Sequence, residues 1–165
     1  MLIYFCLYAF LGYCIESLYR SMVEKRWISS GLLDGPFIPL YGFGSLILLI
    51  YDNYFVYNIF ITAILLIVLE LLSSYLIEYF YKIKYWDYSS HILNFDGRIC
   101  LFYSGIWLIM SYLFYYHIHP FVSQFVLLND CNNLIALIII FYMILNAKKD
   151  KWKLILNMLL LLLDY

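Results

Sequence analysis

Glu16 and Arg20 stand four residues apart, and Glu78 and Lys82 repeat that spacing in a later apolar run. On a helix such pairs share a face with the glutamate in the favourable first place, so each predicts an ion pair at a helix end. Glu70, Ser74 and Glu78 recur every four residues and predict a polar line down one helical face. Glu70 lies ~18 Å before Lys82 along a helix, well within a hydrocarbon core ~30 Å thick. A carboxylate at that depth is costly unless paired or protonated, so it marks either a functional group or interhelical hydrogen bonding. Asp34, Asp96 and Arg98 complete a set of charges in or beside apolar sequence.

Three uses of such a set are open. Glu16, Arg20, Asp34, Glu70, Glu78, Asp96 and Arg98 could bind a substrate in a polar site near the cytoplasmic side. An intramembrane enzyme acting on lipid would use Glu70 or Glu78 for acid–base work and Arg98 to hold a phosphate. A non-catalytic assembly or regulatory subunit would use the same side chains only to pack helices. No G-x-x-x-x-G-K-[ST], G-x-S-x-G or H-E-x-x-H occurs, so no catalytic residue is assigned and ATP is not expected to bind this chain. His117 and His119 have chelate-like spacing but no third ligand nearby, so no metal site is assigned. Cys6, Cys14, Cys100 and Cys131 lie far apart and read as small buried hydrophobes.

The elements that position these residues follow from composition. The chain is 66% hydrophobic and 13% charged, about half the charged share of a soluble domain. A fold class of all-α integral membrane protein follows. Apolar runs at about 2–20, 36–54, 58–80, 99–118 and 131–147 predict five transmembrane helices in a single transmembrane domain over residues 1–165. The tail at 154–163 is too short to cross and is expected at the interface or against a partner. The N-terminal run has no basic region before it and reads as a retained helix.

All ten Lys and Arg fall around the first and third connections or after the fifth run, as the cluster at 148–153. The positive-inside rule then places the N-terminus outside and the C-terminus in the cytoplasm. Sliding the chain by 62 residues lays Tyr13, Ile15, Glu16 and Tyr19 on Tyr75, Ile77, Glu78 and Tyr81, and Asp34-Gly35 on Asp96-Gly97. That predicts two tandem parallel hairpins, at about 1–57 and 58–120, with the fifth helix and tail in 121–165. The charged corners of the two hairpins would converge on one cavity.

The stretch Gly31–Gly44, GLLDGPFIPLYGFG, breaks the apolar pattern with two Pro and four Gly. Asp34 is expected to cap a re-entering helix with Pro36 in its first turn, Pro39 to kink it, and Asp96-Gly97 to open the later run likewise. Gly42, Gly44 and Gly105 are expected to let helices approach closely. Aromatic residues, 22% of the chain, are expected largely at the two interfaces.

LGYCIESLYRS at 11–21, SSGLLDGPFIPLYGFG at 29–44, the Glu70 helix, YWDYSSHILNFDGRICLFYSGIW at 85–107 and IHP at 118–120 together resemble the ABC-transporter type IV (CmpB-like) permease family of small bacterial integral membrane proteins. The resemblance covers roughly residues 5–125. It implies a permease-like subunit in the bacterial cell membrane, with ATP handled only by a separate ATPase subunit docked on the basic cytoplasmic connections. The expected partners are that subunit, the lipid bilayer and a second copy of the chain, and not nucleic acid.

Overall fold

The computed structural model describes residues 1–50, 55–126 and 130–146. The basic cluster at 148–153 and the tail at 154–163 lie outside the described residues. The order of elements is α1 (Leu2–Glu24), α2 (Pro39–Ile50), α3 (Phe55–Tyr81), β1 (Asn94–Phe95), β2 (Ile99–Cys100), α4 (Leu101–Leu113), a π-helical turn (Phe114–Ile118), α5 (His119–Phe125) and α6 (Asp130–Asn146). The chain is thus mainly helical, with one antiparallel ribbon pairing Asn94 with Cys100 and Phe95 with Ile99.

Two helices, Leu2–Glu24 and Ile59–Tyr81, are long and apolar enough to cross a membrane. Both end at a lysine in the left-handed conformation, Lys25 (φ 52°) and Lys82 (φ 57°). α3 is inside-out by the standard of a soluble helix. Thr62, Leu66, Glu70 and Ser74 are buried at four-residue intervals, whereas Phe60, Ile61, Ile64, Val68 and Leu72 are exposed. Polar groups turned inward and apolar ones outward is the pattern a lipid solvent selects, because there the polar groups have no water to fall back on.

The first compact unit comprises Met1–Ser45 with α6. Two glycine notches set the approach of α1 and α2: a Cβ on Gly12 would stand 2.2 Å from the Tyr41 ring, and one on Gly42 would stand 2.7 Å from the ring of Phe5. Cys6 donates from Sγ to the Ala136 carbonyl of α6 at 3.7 Å. The expected helix start at Asp34 is not observed. α2 begins at Pro39, so Pro39 initiates the helix, where its missing N–H costs nothing, and does not kink it. Residues 25–38 instead run back along α1. The Ile28 N–H reaches Ser21 Oγ at 2.9 Å, the Ser30 N–H reaches Ser17 Oγ at 3.0 Å, and the Ile38 N–H reaches the Ala9 carbonyl at 3.0 Å. Non-helical backbone beside an apolar helix needs partners for its N–H groups, and α1 supplies them.

The second unit lies within Leu46–Leu128 and packs α3 against α4. Here too the expected cap is absent: α4 begins at Leu101 after Cys100, and Asp96 (φ 53°) and Gly97 (φ 63°) form the turn of the ribbon. Helical backbone continues from Leu101 to Phe125, past the expected end of the fourth run at 118. The π turn ends two residues before Pro120, whose ring would clash with a regular preceding turn. Tyr115 pins that turn by donating to the Leu48 carbonyl at 2.6 Å.

Candidate functional site

The polar line on α3 meets the 82–100 segment that folds back onto it. Arg98 is buried and spends its guanidinium on three acceptors: Nε on Asp96 at 2.8 Å, Nη1 on Ser74 Oγ at 2.9 Å, and Nη2 on the Glu78 carboxylate. Its plane lies 3.9 Å from the centroid of the Tyr75 ring, and the Tyr75 hydroxyl donates to Asp96 at 3.2 Å. Trp86 secures the same residue from behind, its Nε1 donating to the Arg98 carbonyl at 2.8 Å. One turn deeper than Ser74, the buried Glu70 accepts from the Tyr88 hydroxyl at 3.1 Å and from Trp107 Nε1 at 2.9 Å. The line therefore grades from a buried carboxylate at Glu70 to a half-buried one at Glu78 and an exposed one at Asp96. Chemically it offers carboxylate acceptors at three depths beside a fixed cation.

The pair expected between Glu78 and Lys82 is not formed. α3 ends at Tyr81, so the left-handed Lys82 has left the helical face, and its ammonium sits 5.1 Å from the centroid of the Tyr79 ring. Arg98 takes its place. Hydrogen bonds from Arg98 and then from Tyr75 hold the Asp96 carboxyl below its ordinary 3.8, and those that Arg98 donates to Asp96 and Glu78 push its own pKa up. A lowered carboxyl pKa adds stability above the unfolded value and loses it as pH falls through the folded one. Acidifying below about pH 4 is thus expected to loosen the ribbon. Amide exchange corrected for its intrinsic pH dependence should show this at Arg98 and Tyr88, with the α1 amides unchanged.

In the first unit, Glu16 accepts from the Tyr41 hydroxyl at 3.2 Å. No Glu16–Arg20 ion pair occurs among the described residues. The Gly12 notch seats Tyr41 one turn from Glu16, and the phenol reaches the carboxylate. The Asp34 side chain is exposed, and its N–H caps α6 by donating to the Asn146 carbonyl at 3.3 Å. Behind Glu16 runs a seam of hydroxyls, with Ser29 and Tyr13 3.0 Å apart and Ser30 on Ser17. Ser30 Oγ is buried with no hydrogen-bond partner among the described residues. Two substitutions should therefore differ. Ser17→Ala strips the buried Ser30 N–H of its acceptor and is expected to cost ~1–3 kcal/mol, whereas Ser30→Ala removes an unsatisfied hydroxyl and should be neutral or stabilising. Unfolding of the two variants in mixed micelles measures the contrast.

With that geometry in place, the comparison with known families is direct: a family model described as "Putative ABC-transporter type IV" matches residues 3–149. The chain belongs to this family. A search of the curated proteins and one of the solved structures each returned no match. The stretch matched by the type IV family model contains all seven expected site residues, α2 to α6, and α1 apart from its first residue.

Those seven divide between the units, Glu16, Arg20 and Asp34 in the first and Glu70, Glu78, Asp96 and Arg98 in the second. Sequence reasoning missed the groups that complete each set. Ser17 and Ser21 share a face of α1 at i, i+4, and the adjacent Ser29-Ser30 was the available signal for their partners. Tyr88 reads as an interfacial aromatic and Trp107 only as part of the fourth apolar run, yet both donate to Glu70. The 117–119 segment is helical. His119 stacks on Phe114 and His117 stands edge-on to Tyr112. Among the described residues no group of three or more His, Cys, Asp or Glu could hold a metal ion.

Proposed function

We propose that this member of the ABC-transporter type IV family is the membrane-embedded, permease-like subunit of a bacterial ABC-type transporter. The polar line from Glu70 through Ser74 and Glu78 to Arg98 is its main solute-binding site, and Glu16 with Tyr41 is a second polar locus in the first unit. The observation that carries the reading is the inverted pattern of α3, which holds a buried carboxylate on a helix able to cross a membrane. A protein that only anchors has no need of such a group, since its burial is expensive wherever it is not used.

The protein is multi-pass, with the N-terminus outside and the C-terminus cytoplasmic. The placement of Lys25 and Arg26 after α1, and of Lys82 and Lys84 after α3, supports this orientation. A tandem repeat remains part of the proposal: α2 and α4 start 62 residues apart, at Pro39 and Leu101, the same offset as the sequence match. ATP is hydrolysed by a separate subunit.

The test is isolation of the tagged full-length chain from bacterial membranes in mild detergent. An ATPase subunit is expected to co-purify, and the reconstituted complex to hydrolyse ATP. Glu70→Gln should lower that turnover by roughly tenfold with the subunits still associated. Recovery of the chain with no ATPase would overturn the transporter assignment. Retention of full turnover by Glu70→Gln would reduce the polar line to helix packing.

A further inference from the structure

We propose that the turn spanning Ser89–Arg98 is a lipid-contacting foot, its Ile92, Leu93 and Phe95 side chains entering the headgroup–acyl boundary of a phospholipid bilayer. The proposal rests on the membrane assignment above and goes beyond it, because the turn lies in a connection and not in a spanning helix.

The turn is rigidly built. Asn94 Nδ2 donates to the carbonyls of His91 at 2.8 Å and Ser89 at 3.3 Å, while its Oδ1 accepts the Gly97 N–H at 3.0 Å. The Tyr88 N–H closes the base on the Gly97 carbonyl at 2.7 Å. This scaffold holds Leu93 at φ 53°, a conformation that costs a side-chain-bearing residue energy. The side chains so presented are apolar and almost wholly uncovered: Ile92 is 85% exposed, Leu93 72% and Phe95 59%. A water-facing turn would fill these positions with polar residues, as turns ordinarily do.

Depth selects lipid over a soluble partner as the occupant. The Arg98 bonds to Ser74 and Glu78 and the Tyr75–Asp96 bond fix the turn beside the last two turns of α3, not beyond its end at Tyr81. That is ~5–10 Å back from the helix terminus at 1.5 Å per residue. The Leu101 N–H donates to the Leu93 carbonyl at 3.2 Å, which sets the tip level with the first turn of α4. Lys82, with its ammonium over the Tyr79 ring, stands past the end of α3 where a cation and an aromatic ring suit the headgroups. Apolar groups at that level meet the acyl boundary, the depth at which interfacial segments bury their apolar faces.

Spin labels on the full-length chain in phosphatidylethanolamine–phosphatidylglycerol vesicles test this, with Cys6, Cys14, Cys100 and Cys131 replaced by alanine. Labels at Ile92→Cys, at Ile64→Cys on the exposed face of α3, and at Arg26→Cys are compared by collision with oxygen and with a water-soluble nickel chelate. The Ile92 label is expected to show an oxygen-to-nickel ratio roughly threefold or more above that of Arg26 and below that of Ile64. A nickel-accessible Ile92 beside an oxygen-rich Ile64 overturns the foot and leaves the membrane assignment standing. Nickel access at Ile64 itself overturns both. Nickel access at Ile92 that disappears only when an ATPase subunit is added would assign the turn to that partner and equally overturn the proposal. Phe95→Cys repeats the reading should the Ile92 label disturb the turn.

Discussion

Gly12→Val will unseat α2 from α1 and destabilise the first unit by roughly 2–4 kcal/mol, combining overpacking with loss of a charge-assisted hydrogen bond. The side chain has nowhere to go. Its Cβ would lie 2.2 Å from Tyr41 Cγ and 2.5 Å from Tyr41 Cβ, the root of that residue and not its movable tip. Tyr41 cannot swing aside without moving its own helix, and α2 meets α1 closely again at the Gly42 notch, where Phe5 contributes both ring and carbonyl. Displacing Tyr41 withdraws its hydroxyl from Glu16. Unfolding in mixed micelles measures the loss, and two controls isolate its cause. Gly105→Ala should be harmless or slightly stabilising, because nothing among the described residues lies within 4 Å of a Cβ there and alanine is the better helix former. Gly12→Ala combined with Tyr41→Ala should recover part of the penalty that Gly12→Ala incurs alone. An equal cost at Gly12 and Gly105 would mean that helix propensity, not the notch, sets the effect.

The contrast between Gly12 and Gly105 also marks what the sequence could disclose. Apolar run length found α1 and α3, and the four-residue spacing found the Glu70–Ser74–Glu78 line, because both are properties of one helix considered alone. Gly42 was read as a close-approach residue and is one. Gly105 reads the same way, yet no described residue packs where its Cβ would be, since a glycine does not announce its neighbour. The Asp-Gly steps failed for a related reason. Asp34 and Asp96 have the right residue type for a cap, but Pro39 and Leu101 begin their helices several residues later, once the connections have run back along α1 and α3. Local capping preference could not compete with hydroxyls on α1 waiting for backbone N–H groups.

Ion pairing was the least legible feature. Spacing rules pair Glu78 with Lys82, and only the exact end of α3 removes Lys82 from reach. Helix ends are the boundary a sequence fixes least well. Arg98 then competes from twenty residues away, a distance at which sequence spacing carries no information.

Arg98→Leu is expected to detach the ribbon from α3 at a cost of roughly 2–3 kcal/mol, below the full penalty for breaking a buried pair because water still reaches Glu78 and Asp96. Ser74 loses its donor, Tyr75 its stacked cation, and the two carboxylates the charge between them. Arg98→Lys should recover little of this. One ammonium cannot serve three acceptors in a plane or lie flat on the Tyr75 ring. The decisive readout is the size of the pH dependence. In the native chain Asp96 is held low by its cation, so acid removes stability. In Arg98→Leu, Asp96 loses the hydrogen bond and charge that do most to hold it low, so its folded pKa moves back towards the unfolded value. Less stability is then lost as pH falls through the folded value, so acid should loosen the variant ribbon much less than the native one. Amide exchange at Tyr88, read on both proteins between about pH 3 and pH 6, separates the cases. If acid loosens both ribbons alike, the guanidinium is not what holds the 82–100 segment to α3.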